Sequence, residues 1–230
     1  MSDKGNLFVV GTPIGNLEDI TLRAVSTLKN VNIILAEDTR NSKKLLSAHG
    51  IETRMISYHE HSSEKESQKI VNLLIEGNDL ALISDAGTPT ISDPGYSLIR
   101  ECIKHEIKII PIPGVSAITA AMSVSGLPSD SFTFHGFLPQ KKGRLKKIQN
   151  LVHANNTIIL FESPFRLEKT LTQLLEHLGD RSVVVGRELT KLYEEIIRGN
   201  LSDVLEYFSK SKVKGEIVIM IGKNDDRIHF

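Results

Sequence analysis

Short apolar runs of strand length alternate with helical patterns almost from end to end of this chain, and few folds accept that order. Strands are expected at Leu7–Val10, Ile33–Ala36, Met55–Ser57, Leu80–Ser84 and Lys108–Ile112, with helices around Ile20–Leu28, Ser42–Ala48, Glu64–Glu76 and Tyr96–His105. Apolar spacings such as Leu22, Val25 and Leu28 give each helix one face to bury. Alternating β and α elements imply an α/β fold with a largely parallel sheet covered by helices.

The tempo changes after Pro113-Gly114, where an Ala/Ser-rich helix (Ser116 to Ser125) leads to Gly126-Leu127-Pro128. Strands then follow at Phe132–His135, Thr157–Phe161, Ser182–Gly186, Glu195–Arg198 and Glu216–Ile221. The runs at Val183–Gly186 and Glu195–Arg198 leave no room for a helix between them and should pair antiparallel. A helix is expected over Ser163–Leu178, with Ser163 as N-cap, Pro164 in first position and Gly179 as the stop. Two α/β domains are expected, 1–115 and 116–230. A chain of 230 residues with 40% hydrophobic content can bury one large core or two modest ones.

Formal net charge is zero, so no global field points to nucleic acid or a membrane, although a local patch suffices for the former. Cys102, the single cysteine, occupies an apolar helical position and reads as core packing. A disulfide framework is thereby excluded, in keeping with a reducing compartment. The longest apolar runs are strand-sized, so neither a signal peptide nor a membrane span is expected, and the location expected is cytoplasmic.

The strand ends carry the chemistry. Leu80–Ser84 runs into a loop, Asp85 to Gly95, that holds two glycines, two prolines and two aspartates. Prolines fix φ and glycines admit close backbone approach, so this loop is rigid and shaped to meet a ligand. The first strand ends in Gly11-Thr12-Pro13-Ile14-Gly15, whose glycines are four apart and whose Pro13 has no N–H, so it reads as a strand-to-helix turn or as a ligand loop that does not bind pyrophosphate. Glu37-Asp38-Thr39-Arg40 closes the second strand and Pro113-Gly114-Val115-Ser116-Ala117 the fifth. Parallel strands place all four loops at one sheet edge, where a pocket is expected.

Elsewhere the signals are two-sided. His59 and His61 alternate around Glu60, but no second pair completes a metal site, and no metal is expected. Lys141-Lys142-Gly143-Arg144-Leu145-Lys146-Lys147 holds five cations in seven residues, either a solvated helix face or a clamp for an RNA backbone. Phe134 and Phe137 lie upstream, to stack on bases or to fill the core. Glu162, at a strand end before Ser163-Pro164-Phe165-Arg166, can accept a proton, orient a ligand or stabilise a helix N-terminus.

Together these segments resemble the tetrapyrrole methylase superfamily and, within it, the 16S ribosomal RNA cytidine-2′-O-methyltransferase family. The likeness runs through Leu7–Leu17, Ala36–Arg40, Tyr58–His61, Ser84–Gly95, Pro113–Ala117 and His135–Pro139. It continues through Phe161–Arg166, Arg187–Lys191 and Lys214–Glu216, and so spans nearly the whole chain. In relatives acting on tetrapyrroles the loop aligned with Gly87-Thr88-Pro89 reads Gly-Asp-Pro; here Thr88 stands in place of that aspartate.

The resemblance implies S-adenosylmethionine held in a cleft between the two domains, and a homodimer. It carries cofactor contacts onto Pro13, Ile14, Asp85, Ala86, Gly87, Thr88, Ile91, Ser116, Ala117, Phe161, Leu189 and Gly215. The reaction it implies is displacement at a sulfonium methyl by a ribose 2′-hydroxyl of a cytidine in small-subunit ribosomal RNA, in the assembled subunit. Asp38 and Glu162 are then the candidates for base or orienting carboxylate. Arg40 and Arg23 would hold phosphate, and Lys141, Lys142, Arg144, Lys146 and Lys147 would meet the RNA. A tetrapyrrole carbon or a modified histidine as acceptor, a silent ligand- or RNA-binding module, and a nicotinamide oxidoreductase are the competing readings. The basic run argues against the first, the retained loops against the second and Pro13 against the third.

Overall fold

A computed structural model describes residues 4–59, 64–210, 212–225 and 230. The chain divides into two units, Met1–Ser116 and Ala117–Phe230. The first is built from β1 (Leu7–Val10), α1 (Leu22–Asn30), β2 (Ile33–Ala36), α2 (Thr39–Ala48), β3 (Met55–Ser57), α3 (Glu64–Ile75), β4 (Leu80–Ile83), α4 (Tyr96–Lys104) and β5 (Ile109–Ile112). Its strands lie in the order β3-β2-β4-β1-β5, every pairing parallel.

The runs IILA and LALI are apolar at every position because both faces of this sheet are covered. Leu35, Leu80 and Leu82 face Ile70, Val71 and Leu74 of α3 and Leu98 and Cys102 of α4. Ile34, Ala36, Ala81 and Ile83 face Ala24 and Leu28 of α1 and Leu46 of α2. Each buried leucine, isoleucine or valine among them contributes about 1.5–3 kcal/mol. Cys102 is core, as its position suggested, and burial pushes its thiol up to about 12.

The second unit comprises α5 (Ala117–Ser125), β6 (Phe132–Phe137), α6 (Arg144–Leu151), β7 (Thr157–Glu162), α7 (Leu167–Leu178), β8 (Ser182–Arg187), β9 (Glu195–Asn200), α8 (Leu201–Ser209) and β10 (Ile217–Ile221). Strand order is β6-β7-β10-β8-β9; β6 and β7 are parallel and the other pairs antiparallel, β8 with β9 included. Ile158, Leu160, Val183, Val185 and Ile219 meet α6, α7 and α8 on one face, while α5 packs against β10.

Two expectations about helices need correction. The helix expected from Ser163 begins at Leu167, with Arg166 at its N-cap. Ser163 N–H donates to Glu162 Oε1 at 2.7 Å and Arg166 N–H to the Ser163 carbonyl at 3.0 Å, so the buried carboxylate winds 163–166 into a turn first. The helix expected from Ser42 begins at Thr39, because Asp38 caps it through the Arg40 N–H at 2.8 Å. No described helix is long and apolar enough to cross a membrane.

Candidate functional site

In the first unit the loops that leave β1, β4 and β5 meet at the carboxyl edge of the sheet, sewn together by main-chain groups. Thr12 N–H donates to the Gly87 carbonyl at 2.8 Å and Gly87 N–H returns to the Thr12 carbonyl at 3.1 Å. A Cβ on Gly114 would stand 2.7 Å from the Gly11 carbonyl oxygen, so these loops pass each other only because both positions are glycine. Gly87 has φ +80°, and a Cβ there would sit 3.5 Å from Ile14. The Thr88 hydroxyl reaches the Val115 carbonyl at 3.4 Å. Pro13, Ile14, Asp85, Ala86, Gly87, Thr88, Ile91 and Ser116 therefore share this edge, while Ala117 opens α5.

Around the same edge stand four carboxylates, Glu37, Asp38, Asp85 and Asp93. Asp85 accepts from the Asp38 N–H at 3.1 Å and from the Asn41 amide at 3.2 Å. Asp38 holds Arg40 through two contacts, Nε on Oδ1 at 3.2 Å and Nη2 on Oδ2 at 3.1 Å. The hydrogen bonds from Arg40 keep the Asp38 carboxyl below the usual range, which makes it an orienting group and a weak proton acceptor. Arg40 itself projects into solvent, its side chain 90% exposed.

Asp93 was not singled out in the sequence, and it is the carboxylate best suited to take a proton. Burial pushes it up to about 6, the charges of Glu37 and Asp85 add to the effect, and a hydrogen bond with Ser84 opposes it. Its neighbours Thr90 and Ser92 have φ +73° and +62°, in the left-handed region, so the loop's path holds it in place. Arg23 lies exposed on α1 with Nη2 2.6 Å from the Pro111 carbonyl. His59 Nε2 is 2.6 Å from the Ser57 hydroxyl, while His61 lies outside the described residues.

In the second unit Phe161, Val218 and Gly186 are aligned across three strands. Leu189 packs over the bare Gly186, where a Cβ would lie 3.2 Å from it, so Phe161 and Leu189 share a face. Phe134 and Phe137 both meet the Phe161 ring edge to face, at centroid distances of 4.8 and 5.7 Å. A register shift between Phe134 and Phe137 accompanies Gly136 at φ +61°. Gly215, at φ +92°, lies against Glu188, and Lys191 ties Glu188 to Glu216 at 2.9 and 3.0 Å.

Glu162 and Arg144 require correction. Glu162 is buried, with Oε1 2.6 Å from Arg166 and Oε2 accepting from the Thr170 hydroxyl at 2.6 Å. Arg144, 4% exposed, lies 3.7 Å from the same carboxylate and donates to Gln173 at 2.8 Å and Thr170 at 2.6 Å. Neither side chain is open to a substrate: the pair organises the start of α7. Lys141, Lys142 and Lys146 are exposed and Lys147 half-exposed, so the basic run retains four of its five cations at the surface.

A carboxylate-rich edge with a proline in its first loop suits a cationic ligand that carries no phosphate, such as a sulfonium, and the glycine cradle admits close main-chain approach. Comparison with known proteins agrees. The tetrapyrrole (corrin/porphyrin) methylases match over residues 6–205. A ribosomal RNA small subunit methyltransferase I from Halalkalibacterium halodurans is 48% identical over 227 residues, 98% of this chain and 78% of its own length. The protein of the same name from Thermotoga maritima is 48% identical over 217 residues, 94% of this chain and 98% of its own. Among solved structures, a cobalt-precorrin-4 methyltransferase superposes with TM-score 0.71 at 19% identity, covering 94% of each chain. A diphthine synthase gives 0.74 at 14%, covering 95% of this chain and 90% of that one; both show the fold alone. On these grounds the chain belongs to the tetrapyrrole (corrin/porphyrin) methylase family and is similar over nearly its whole length to members named ribosomal RNA small subunit methyltransferase I.

Proposed function

We propose that this chain is an S-adenosylmethionine-dependent methyltransferase of small-subunit ribosomal RNA, acting on the ribose 2′-oxygen of a cytidine. The observation that carries the reading is 48% identity over 98% of the chain to a relative of that name, joined to a sheet edge suited to a cationic cofactor. S-adenosylmethionine supplies a methyl group already activated by the positive sulfur. The protein's share of the work is to align the hydroxyl and to remove its proton.

Pro13, Ile14, Ser116 and the loop from Asp85 to Ile91 serve the cofactor in the first unit; Ala117, Phe161, Leu189 and Gly215 serve it in the second. Arg40, held by Asp38, meets an RNA phosphate. Asp93 accepts the 2′-hydroxyl proton, a role for which a carboxyl titrating near 6 is better matched than one pinned by arginine. Lys141, Lys142, Lys146, Lys147 and Arg23 contribute cations toward the RNA backbone. A homodimer, a cytoplasmic location and an assembled small subunit as substrate belong to the same reading.

Transfer of labelled methyl from S-adenosylmethionine to isolated small ribosomal subunits, with nuclease mapping, tests it. Label on a single cytidine 2′-oxygen is expected. Cofactor binding with no label on the RNA refutes the choice of acceptor.

A further inference from the structure

Strand β6 is the outermost strand of its sheet, and beside it α6 and the segment after it leave a groove of about 440 Å³. Thr133 and His135 enter it from β6, alternating with Phe134, which turns to the other face. Lys147 and Asn150, one turn apart, enter from α6; His153 and Asn155 close the far side. Asn156 is held as part of the wall, accepting from the Thr133 hydroxyl and donating to Ser131, both at 3.3 Å. The side chains of Lys147, Asn150, His153 and Asn155 make no hydrogen bond among the described residues, so their donors and acceptors face the groove unspent.

The electrostatics single out an anionic guest. No carboxylate is among the described residues that line the groove, in a chain with 28 acidic residues. Burial, with the Lys147 charge beside it, lowers the His135 pKa, which leaves a neutral ring with one donor, one acceptor and a flat face. Exposed Lys146, next to Lys147 on α6, and Lys141 and Lys142 just before that helix extend the positive field outward. One cation for a phosphate, several amides and imidazoles for a base edge, and a volume suited to a small ligand make a nucleotide-sized receptacle.

We infer that this groove seats one unpaired nucleotide of the RNA, with its phosphate on Lys147 and its base among His135, Asn150 and Asn155. RNA as the occupant rests on the proposed function. The groove is built entirely within the second unit, from residues other than those assigned to the cofactor or to proton transfer. Its role is to grip and read the substrate.

The test uses the full chain and the single substitutions Lys147→Gln, Asn150→Ala and Asn155→Ala, all at exposed or half-exposed positions. Binding of a short fluorescein-labelled single-stranded RNA of mixed sequence is followed by anisotropy over a range of salt. Methyl transfer to small ribosomal subunits is measured in parallel. Each substitution is expected to weaken RNA binding by about threefold to tenfold and to raise KM for the subunits more than it lowers kcat. Lys147→Gln should also flatten the salt dependence by about one phosphate contact, with S-adenosylmethionine affinity unchanged. Parent-like RNA affinity and salt slope in all three overturn the inference, and methyl transfer by the parent then leaves the functional reading intact. A parent that methylates no subunit RNA, yet loses RNA binding on these substitutions, overturns the functional reading and retains the groove.

Discussion

Asp93→Asn should make the protein more stable at neutral pH while it weakens catalysis. The folded state raises this carboxyl from an ordinary 3.8 to about 6, chiefly through burial and secondarily through Glu37 and Asp85. The folded chain thus holds the proton more tightly than the unfolded chain does. The group's stabilising contribution is complete below about pH 4 and is lost as pH rises through about 6. At about 1.36 kcal/mol for each tenfold change in proton affinity, that gap sets a ceiling of about 3 kcal/mol. Asp93 is only partly buried, and solvent screening brings the expected effect to about 1–2 kcal/mol. Asparagine has nearly the same shape, keeps a partner for Ser84 and carries no charge. Urea unfolding from pH 4 to pH 8 should show parent and variant nearly equal at the acid end and the variant ahead at the alkaline end. In a thermal melt at pH 8 the gain is about 2–8 °C. Loss of the general base should meanwhile cost about 10²–10⁴ in turnover. A stability difference that does not change with pH, or a variant less stable at pH 8, would refute the claim that the fold holds this charge unfavourably.

Glu162→Ala should destabilise by about 3–5 kcal/mol in urea unfolding, because Arg144 and Arg166 lose the carboxylate between them; Glu162→Gln should cost less, and equal stability of alanine variant and parent would undo the assigned network. Asp38→Asn keeps a good helix cap but releases Arg40, so turnover should fall with S-adenosylmethionine affinity unchanged in calorimetry; unchanged turnover removes Asp38 from the site. Lys142→Glu and Lys146→Glu should weaken RNA binding most at low salt without moving the melting temperature, whereas Arg144→Glu should lower the melting temperature itself. Equal melting temperatures for all three variants would return Arg144 to the solvated face.

What could be read from the sequence follows from what repeats along it. The inner strands β2 and β4 of the first unit are buried at every position, so each is a short continuous apolar run, and IILA and LALI stand out without any neighbour's help. Helix α8 was legible in principle, since Leu201, Val204 and Phe208 mark one face and Asn200 stands at the N-cap, although its side chain makes no capping hydrogen bond. The burial of Arg144 also had a signal: Arg144, Ile148 and Leu151 fall at helical spacing on one side of α6, while the exposed Lys146 falls off it. Counting charges along the run concealed that phase. Asp93 had no such signal. Its environment depends on left-handed backbone at Thr90 and Ser92, and neither residue type announces that conformation. The start of α7 went astray for a tertiary reason, because Ser163-Pro164 is a sound local start that the buried Glu162 overrides.

The formal net charge of zero conceals two local groups of opposite sign. Glu37, Asp38, Asp85 and Asp93 gather at the sheet edge of the first unit, while Lys141, Lys142, Lys146 and Lys147 gather around the start of α6 in the second. The two groups cancel in the sum over the chain, so the net charge measures neither local field. An acidic edge favours the cationic methyl donor, and a basic helix start favours the polyanion. Salt should separate them as well. Polyanion binding displaces counterions and weakens steeply, whereas a single sulfonium held by main-chain groups and a glycine cradle depends far less on ionic strength.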